Sequence, residues 1–528
     1  MPALDPQEAK RRLHAPGEIA CLDMREHGQY GEGHPFLAVP CPYSRLEALV
    51  GALVPRRDVP VVLIDEGDGV AERAATRLAA MGYGRIDWID GGAPAWAAAG
   101  YTLFKGVNLP SKTLGELVEE HWHVPAIGPD ILDSWLEQGR PLQLFDGRSA
   151  GEYTKMTIPG SRSFPNGEVA HRWDALSPGE APVVINCAGR TRSIIGAAGL
   201  ALMQPGAVVL ALENGTQGWA LSGRALAYSS AAGPLPQIDR AASRLRADAF
   251  MRTHAIARID RVAAEGLAED PGRTTYLLDT RDPAEHAATP HAAAVSAPGG
   301  QLIQATDHWI GVRRARVILA DDTGLRAALA AFWLRQLGYE TYVLPDIESW
   351  PADWRLPVGE PPPDFVAPPA ISAGEAFARA QAGDLLLDLR GSLAYRAGHL
   401  PGAAWSIRPR LPAVAGRRVL LAGDETATAL ASRDLAEGGA TSVHGVTGDA
   451  SEWRAAGLGL DSSPDAPADA DAIDHLFFVH DRHDGNLDAA RRYLAWELGL
   501  VAQLDADERG EYRLDALDLR TACNGLTS

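Results

Sequence analysis

The stretch VVINCAGRTRSIIGAAGLAL, residues 183–202, joins a β-branched run to a short loop and an apolar segment with helical spacing. The run VVIN has the composition of a buried strand, and the residues from Ser193 onward favour a helix. A strand that passes through a loop into a helix predicts a βα unit of a mostly parallel sheet. Cys187 stands where this strand ends, which is the edge at which parallel sheets bind ligands.

Three landmarks recur together along the chain. The strand run occurs as VVLID, VVINC, VILAD and VLLAG; an Asp-x-Arg element begins 35 to 42 residues before its last residue, and a tryptophan follows 29 to 32 residues after it. The strand runs end at Asp65, Cys187, Asp321 and Gly423. The Asp-x-Arg pairs are Asp23 and Arg25, Asp146 and Arg148, Asp279 and Arg281, and Asp388 and Arg390. The tryptophans are Trp96, Trp219, Trp350 and Trp453. Three landmarks that recur at nearly constant spacing predict four copies of one domain.

The fold class predicted from these copies is α/β. Within each copy, β-rich runs alternate with helical patterns, which indicates a mostly parallel sheet flanked by helices. Linkers rich in Pro and small residues separate the copies, and a helix is expected near residues 487–504 of the C-terminal tail. The predicted domains are residues 1–110, 118–230, 238–357 and 368–461, followed by a linker and helical tail at 462–528.

Composition narrows the setting. The chain has 528 residues, 46% of them hydrophobic and 22% charged, as in ordinary globular proteins. Its net charge of -19 argues against nucleic acid and anionic membrane as partners, because both attract basic surfaces. We find no apolar run long enough to span a bilayer and no secretory signal, so we expect a cytoplasmic protein with no membrane partner.

Four cysteines are too few for a disulfide framework, and no CxxC pair suggests a structural zinc; they are Cys21, Cys41, Cys187 and Cys523. Cys187 differs from the others because Gly189, Arg190 and Arg192 follow it within five residues. The N–H groups of a tight loop and a helix N-terminus form a cradle for an anion, which would stabilise a thiolate. A cysteine buried only as a small hydrophobe needs no such neighbours. Cys41 is a minor candidate for a resolving thiol.

With these residues the chain resembles the rhodanese family of sulfurtransferases, in a form with four tandem domains, over about residues 5–460. The loop from Cys187 to Arg192 matches the six-residue cradle of that family, and ENGTQGW, residues 213–219, resembles its closing Gly-Trp signature. IPGS at 158–161 resembles the family's His-Ile-Pro-Gly-Ala motif, with Thr157 in place of the His, whereas copy four keeps His399.

The resemblance implies a thiosulfate sulfurtransferase-like enzyme without a metal or organic cofactor. In that family a loop cysteine takes a sulfane sulfur from thiosulfate or another small anionic donor, holds it as a persulfide and passes it to a thiol or cyanide. Cys187 is then the nucleophile, and Arg190 is expected to orient the donor. For Arg148, contact with the donor and a tie between loop and sheet are both open. The expected substrate-binding residues are Ala188, Gly189, Arg190, Thr191, Arg192 and Arg148, with Asp146, Ser193 and Trp219 in support.

The other copies are expected to be non-catalytic. Asp65 and Asp321 occupy the nucleophile position in copies one and three, and Gly423 occupies it in copy four. A carboxylate repels anionic donors, and glycine has no nucleophile, so these copies would serve as packing partners, pocket walls or docking surfaces. The same division predicts that residues 1–235 carry the chemistry without residues 238–528.

Two other functions use the same cysteine. Phosphatases and arsenate reductases also carry a Cys loop that ends in Arg, but in the phosphatases five residues separate the two, whereas four separate Cys187 from Arg192. The shorter loop favours a sulfur atom over a tetrahedral phosphate. A persulfide carrier or sulfur sensor, whose inactive copies dock a partner, stays open.

The tail carries a ligand-rich segment, FFVHDRHDGN, residues 477–486. Its residues His480, Asp481, His483 and Asp484 have a composition that can bind a divalent metal, but such residues also cap helices and form solvated turns. We favour caps and predict no metal site. The tail helix is expected to cover a sheet edge or to mediate assembly into a homo-oligomer.

Overall fold

The computed structural model describes residues 2–176, 179–356 and 365–520. The chain forms two compact units, each assembled from separate parts of the sequence. Unit one comprises Met1–Leu13, Ala20–Val107 and Gly359–Phe478, and unit two comprises His14–Ile19, Asn108–Val358 and Val479–Ser528. Unit one therefore holds copies one and four, and unit two holds copies two and three. The tail that the sequence marks as one segment is divided between the units after Phe478.

Copy one supplies five strands and five helices. Its strands are β1 (Ala3–Leu4), β2 (Ile19–Asp23), β3 (Val39–Pro40), β4 (Val61–Ile64) and β5 (Ile86–Ile89). Its helices are α1 (Pro6–Leu13), α2 (His27–Glu32), α3 (Leu46–Leu53), α4 (Val70–Ala80) and α5 (Gly92–Ala98). These strands pair in parallel in the order β1, β5, β4, β2 and β3.

Copy two repeats this order and contains Cys187. Its strands are β6 (Ala126–Ile127), β7 (Gln143–Asp146), β8 (Arg162–Ser163), β9 (Val183–Asn186) and β10 (Val209–Leu212). Its helices are α6 (Leu109–Trp122), α7 (Pro129–Glu137), α8 (Ala150–Lys155), α9 (Glu168–His171), α10 (Trp173–Leu176), α11 (Thr191–Met203) and α12 (Gly215–Leu221). The parallel order is β6, β10, β9, β7 and β8, so β9 is central and β7 is its neighbour.

Copy three supplies the second half of unit two. Its strands are β11 (Ala257–Arg258), β12 (Thr275–Asp279), β13 (Val295–Ser296), β14 (Val312–Arg313), β15 (Arg316–Ala320) and β16 (Glu340–Leu344). Its helices are α13 (Arg240–Thr253), α14 (Arg261–Ala268), α15 (Pro283–Ala288), α16 (Gly299–Gln304) and α17 (Leu325–Gln336). One sheet runs in the parallel order β11, β16, β15, β12 and β13.

Copy four and the tail complete the chain. The strands are β17 (Ala370–Ile371), β18 (Leu385–Asp388), β19 (Ala404–Trp405), β20 (Arg418–Ala422) and β21 (Ser442–Val446), in the parallel order β17, β21, β20, β18 and β19. The helices are α18 (Ala373–Gln381), α19 (Ser392–Ala397), α20 (Glu425–Glu437) and α21 (Ala450–Ala455), followed in the tail by α22 (Leu487–Leu498), α23 (Leu500–Gln503) and α24 (Ala506–Arg509).

The four-copy α/β architecture with a helical tail is thus confirmed. In each copy the strand that precedes the nucleophile position is central, and the strand that precedes Asp-x-Arg lies beside it. Both elements therefore meet at the carboxyl edge of one sheet. The domain limits read from the linkers stay a prediction. None of the helices in the described ranges is long and apolar enough to cross a bilayer.

The closing tryptophans belong to the cores of their copies. Trp219 is buried with Leu144, Val184 and Leu212 of the sheet in copy two. Trp350 and Trp453 lie in the corresponding core clusters of copies three and four. Burial of a large aromatic side chain is strongly stabilising, which explains why this landmark persists in copies without a cysteine.

Buried ion pairs join the two copies inside each unit. In unit one, the guanidinium of Arg408 in copy four donates to both carboxylate oxygens of Glu47 in copy one, at 2.6 and 2.9 Å. In unit two, Arg326 of copy three donates to Glu168 of copy two at 2.9 Å. Removing one partner of such a pair leaves a buried charge uncompensated, so these contacts hold the pairing of copies in place.

Candidate active site at the Cys187 loop

Cys187 follows β9 directly and lies four residues before the start of α11. Its side chain is buried, with the residue 2% exposed, and its thiol Sγ lies 3.6 Å from the hydroxyl oxygen of Ser193. That hydroxyl donates to the carbonyl of Arg190 at 2.8 Å, which fixes the first turn of the helix. Ser193 thus lies between the thiol and the first turn of the helix, and its supporting role in the reaction stays a prediction.

Helix α12 holds the loop from the other side. The N–H of Thr216 donates to the carbonyl of Cys187 at 2.8 Å, and the N–H of Gln217 donates to the carbonyl of Ala188 at 3.1 Å. Gly215 has φ of +52°, and a Cβ there would lie 2.2 Å from the Cys187 carbonyl oxygen. A glycine is required at this position because any side chain would push the loop away.

Copy three shows what the backbone of such a loop can bind. Asp321 occupies the position of Cys187, and α17 begins four residues later, as α11 does after Cys187. The Asp321 carboxylate accepts from the N–H groups of Thr323 at 3.0 Å, Gly324, Arg326 at 2.8 Å and Ala327 at 3.4 Å. Burial and the neighbouring Asp322 raise the pKa of Asp321 to about 6, although Arg326 and the backbone donors lower it.

The donors in copy three have counterparts around Cys187. By position they correspond to the N–H groups of Gly189, Arg190, Arg192 and Ser193. The first N–H groups of a helix have no acceptor within the helix, so they can bind a negative charge placed before it. From this correspondence we expect the Cys187 loop to form an anion cradle, in which the first residue carries a thiol rather than a carboxylate.

Arg190 is engaged by acidic residues of α6. Its guanidinium donates to Glu116 at 2.8 and 3.0 Å, contacts Glu119, and lies 3.4 Å from the Asn214 side-chain oxygen. Burial raises the pKa of Glu116 to about 7, although Arg190 lowers it; Glu497 and Glu119 add to the rise. The expected role of Arg190 in orienting a donor stays a prediction, and in this structure the side chain is part of an ion-pair cluster.

Arg192 is balanced in the same way. It donates two hydrogen bonds to Glu152, at 2.7 and 2.8 Å. Burial raises the pKa of Glu152, but Arg192 outweighs it and holds that pKa at about 2. Burial also lowers the pKa of Arg192, yet Glu152 raises it overall. The positive charge that the sequence places on the loop is therefore largely balanced by carboxylates.

Arg148 forms a buried pair with Asp146 at the neighbouring strand end. Its guanidinium donates to the two carboxylate oxygens at 2.9 and 2.7 Å and also contacts the carbonyl of Met156. The same side-chain pairing occurs in the three copies that lack a cysteine at the nucleophile position, between Arg25 and Asp23, Arg281 and Asp279, and Arg390 and Asp388. A contact that persists without the nucleophile is structural, so the geometry favours the tie between loop and sheet.

Thr157 and Trp219 also have structural roles. The Thr157 hydroxyl donates to Asp146 at 2.8 Å, so this threonine joins the same buried pair. His399 of copy four instead stacks on Tyr395, with ring centroids 3.8 Å apart. The Trp219 indole N–H donates to the Ala225 carbonyl at 3.0 Å and lies in the core, so this residue supports the fold around the loop.

The tail helix α22 supplies residues that sequence reasoning missed. Thr191 donates from its hydroxyl to Glu497 at 2.8 Å. Lys112 of α6 contacts the Tyr493 hydroxyl and donates to Glu497 at 3.4 Å. The sequence predicted this helix but carried no local signal for its place beside the loop, because the contact joins segments that are far apart in the chain.

The ligand-rich segment before α22 does not gather its side chains. His480 pairs with Asp481 at 2.8 Å, whereas Asp484 pairs with Lys155 at 2.9 Å. Burial and the cations Arg482, Arg148 and Lys155 lower the pKa of His483 to about 3. Over the described ranges, no cluster of three or more His, Cys, Asp or Glu residues could hold a metal ion. Asn486 caps α22 by accepting from the N–H of Ala489 at 3.0 Å, as the cap interpretation expects.

Cys21 and Cys41 lack a comparable environment. Cys21 and Cys41 are buried and free, and burial raises the pKa of both thiols, with Asp23 and Glu47 adding to the rise. Thiols of this kind are poor nucleophiles at neutral pH. Cys523 lies outside the described residues.

Comparisons with known proteins agree with this geometry. The family model of the rhodanese-like domain matches residues 5–99 and 128–222. Thiosulfate sulfurtransferases from Azotobacter vinelandii and Pseudomonas aeruginosa are 30% and 29% identical to the chain; the matches cover 28% and 33% of it, and 60% and 69% of those enzymes. The crystal structure of a thiosulfate sulfurtransferase from Pseudomonas aeruginosa is 35% identical, covers 98% of this chain over all of its own length, and has a TM-score of 0.87.

Proposed function

The chain belongs to the rhodanese-like family of enzymes, and from that premise we propose that it transfers a sulfane sulfur through a persulfide on Cys187. The donor is thiosulfate or a related persulfide donor, and the acceptor is a thiol or cyanide. The reaction uses no metal and no organic cofactor. We further propose a cytoplasmic location and retain self-association as a prediction.

In the donor half-reaction, the Cys187 thiolate attacks the outer sulfur of thiosulfate. A new bond forms between Cys187 Sγ and that sulfur, the bond to the sulfonate sulfur breaks, and sulfite leaves with the electron pair. The enzyme then holds a negatively charged persulfide. In the acceptor half-reaction, cyanide or a thiolate attacks the outer sulfur, and Cys187 leaves as a thiolate. The two halves give ping-pong kinetics.

The observation that carries the proposal is the Asp321 carboxylate in copy three. It sits in a loop of equal length before the helix and accepts four backbone hydrogen bonds. Corresponding donors around Cys187 would stabilise the charge of a thiolate or of a persulfide's outer sulfur, in the way that an oxyanion hole stabilises an oxyanion. Because Arg190 and Arg192 are paired with carboxylates, the backbone is the main source of this stabilisation.

The same comparison supports a division of labour. Asp65 in copy one accepts from the N–H groups of Gly67 and Ala71, both at 2.9 Å, so its own carboxylate occupies the loop. Gly423 in copy four has no side chain, and the following Asp424 caps α20 through the N–H of Ala427. Copies one, three and four are therefore proposed to be non-catalytic.

A persulfide carrier or sulfur sensor would use the same loop, and turnover separates it from an enzyme. We expect the full-length protein to convert thiosulfate and cyanide to sulfite and thiocyanate over many turnovers, measured by thiocyanate formation. Cys187→Ser should reduce this rate to background, because an alkoxide is not accessible at neutral pH. A single stoichiometric burst without turnover would identify a carrier, and hydrolysis of aryl phosphates by the wild type would favour phosphatase chemistry.

A further inference from the structure

Two buried side chains beside the Cys187 loop hold polar atoms that lack a hydrogen-bond partner among the described residues. They are both amide atoms of Gln217, which is 2% exposed, and the Oε2 oxygen of Glu497, which is 1% exposed. A buried polar atom without a partner is costly, and a buried carboxylate oxygen more so. Such atoms at an active-site loop indicate that a ligand completes their hydrogen bonds.

The unpartnered atoms converge on Gly189, two residues after Cys187. A Cβ placed on Gly189 would lie 2.9 Å from Glu497 Oε2 and 3.5 Å from Gln217 Nε2. The Tyr493 ring is 3.1 Å from the same point. The Gln217 backbone is already tied to the loop through Ala188, so its amide is held beside the reacting cysteine.

Glu497 is held in place by its other oxygen. Its Oε1 accepts from Thr191 at 2.8 Å and from Lys112 at 3.4 Å. Burial lowers the pKa of Lys112, but Tyr493 and Glu497 raise it overall, which favours the ammonium form. The carboxylate is therefore anchored by one oxygen and presents the other to the loop.

Glu497 Oε2 favours a ligand group that donates a hydrogen bond, because a carboxylate oxygen only accepts. The hydrogen-bonded groups are two cations, Arg190 and Lys112, and three carboxylates, Glu116, Glu119 and Glu497. A further cation, Arg482, has its guanidinium 4.5 Å from the centre of the Tyr493 ring. An ammonium group on a ligand would give Glu497 Oε2 a charged donor, which makes the stronger hydrogen bond.

We propose that Glu497 and Gln217 form the acceptor subsite, which binds the ammonium group of a small aminothiol such as cysteamine or cysteine. This inference rests on the proposed sulfur transfer through Cys187. The acceptor thiolate attacks the outer sulfur of the Cys187 persulfide, the bond to Cys187 Sγ breaks, and Cys187 leaves as a thiolate; the transferred sulfur keeps its negative charge in the product persulfide. Cys187 and Glu497 are buried, so the acceptor reaches the subsite only when side chains above it move apart.

The test compares two thiols of nearly equal size on the full-length protein. Thiosulfate loads Cys187, and the excess donor is removed. The loss of the persulfide is then timed with cysteamine or with 2-mercaptoethanol, and each rate is divided by the concentration of that thiol in its thiolate form. We expect wild type to prefer cysteamine, and Glu497→Gln, which keeps an oxygen for Thr191 and Lys112, to lower that preference about tenfold or more. Asp488→Asn removes an exposed carboxylate from the same helix and should leave the preference unchanged.

Gln217→Leu provides a second variant and should lower the preference as well, so it decides the matter if Glu497→Gln does not fold. If wild type reacts with cysteamine and 2-mercaptoethanol at nearly equal rates, the inference is overturned. If the folded variants load Cys187 normally but keep the wild-type preference for cysteamine, the acceptor subsite is wrong while the proposed sulfur transfer stands. A failure to load Cys187 would refute the proposed function and this inference together.

Discussion

The loops of copies two and three lie at the same place in their sheets but differ in their first side chain and in the backbone before the helix, where φ is −117° at Arg190 and +87° at Gly324. Each follows the central strand, each leads into a helix after four residues, and the first residue of each accepts a backbone hydrogen bond from the segment after the last strand, from Thr216 to Cys187 and from Ile347 to Asp321. In copy three the carboxylate fills the cradle with its own charge. In copy two the thiol leaves the donors available for a sulfur. We therefore expect the first residue of the loop to decide whether it can carry a sulfur.

A change in the length of the Cys187 loop is expected to have the largest effect on the rate of sulfur transfer. Insertion of one glycine between Gly189 and Arg190 would move the helix N-terminus away from Cys187 and misplace its N–H donors. Loss of one well-placed donor costs about 10²–10³-fold in rate, so we expect thiosulfate turnover to fall by at least that factor. The measurement is thiocyanate formation by a variant whose circular dichroism matches wild type. An unchanged rate in a folded variant would show that the cradle does not stabilise the sulfur.

Titration of Asp321 in copy three is expected to have a smaller effect, on the stability of the fold. The pKa of Asp321 in the folded chain is raised to about 6, above an unfolded value of about 3.8, so the folded state holds this proton more tightly. Stability from this group is therefore fully present below about pH 4 and is lost as pH rises to about 6, by up to about 3 kcal/mol. Asp321→Asn lacks the titrating group, so wild type should lose urea resistance relative to the variant between pH 4 and 7.

The control for this experiment is the same pair of urea midpoints measured above pH 7, where the difference should stay constant. A wild type that gains resistance relative to Asp321→Asn as pH rises would mean that the backbone donors outweigh burial and lower the pKa of Asp321. That result would strengthen the view of the loop as an anion cradle while correcting the electrostatics of copy three.

The fold and the position of Cys187 between a central strand and a helix could be predicted because their signals are local. Strand runs, Asp-x-Arg elements and tryptophans recur at nearly constant spacing, and each marks a contact inside one copy. The strand end at Cys187 and the helix after it follow from a few neighbouring residues. The helix expected near residues 487–504 is present as α22 and α23.

Other features depend on contacts between distant segments. Nothing in the spacing of copies indicates that copy two pairs with copy three, or that Arg190 meets Glu116 and Glu119 rather than a donor. The place of Glu497 beside Thr191 is equally hidden. These contacts argue against the expectation that residues 1–235 suffice for the chemistry, because such a fragment lacks copy three and the tail helix at the loop.

The most direct test of the account is the position of the transferred sulfur. After incubation with thiosulfate and removal of the excess, peptide mass spectrometry should find the mass of one added sulfur atom on the peptide that contains Cys187, and cyanide should remove it. Added sulfur on Cys21, Cys41 or Cys523, with Cys187 unmodified, would contradict the central claim.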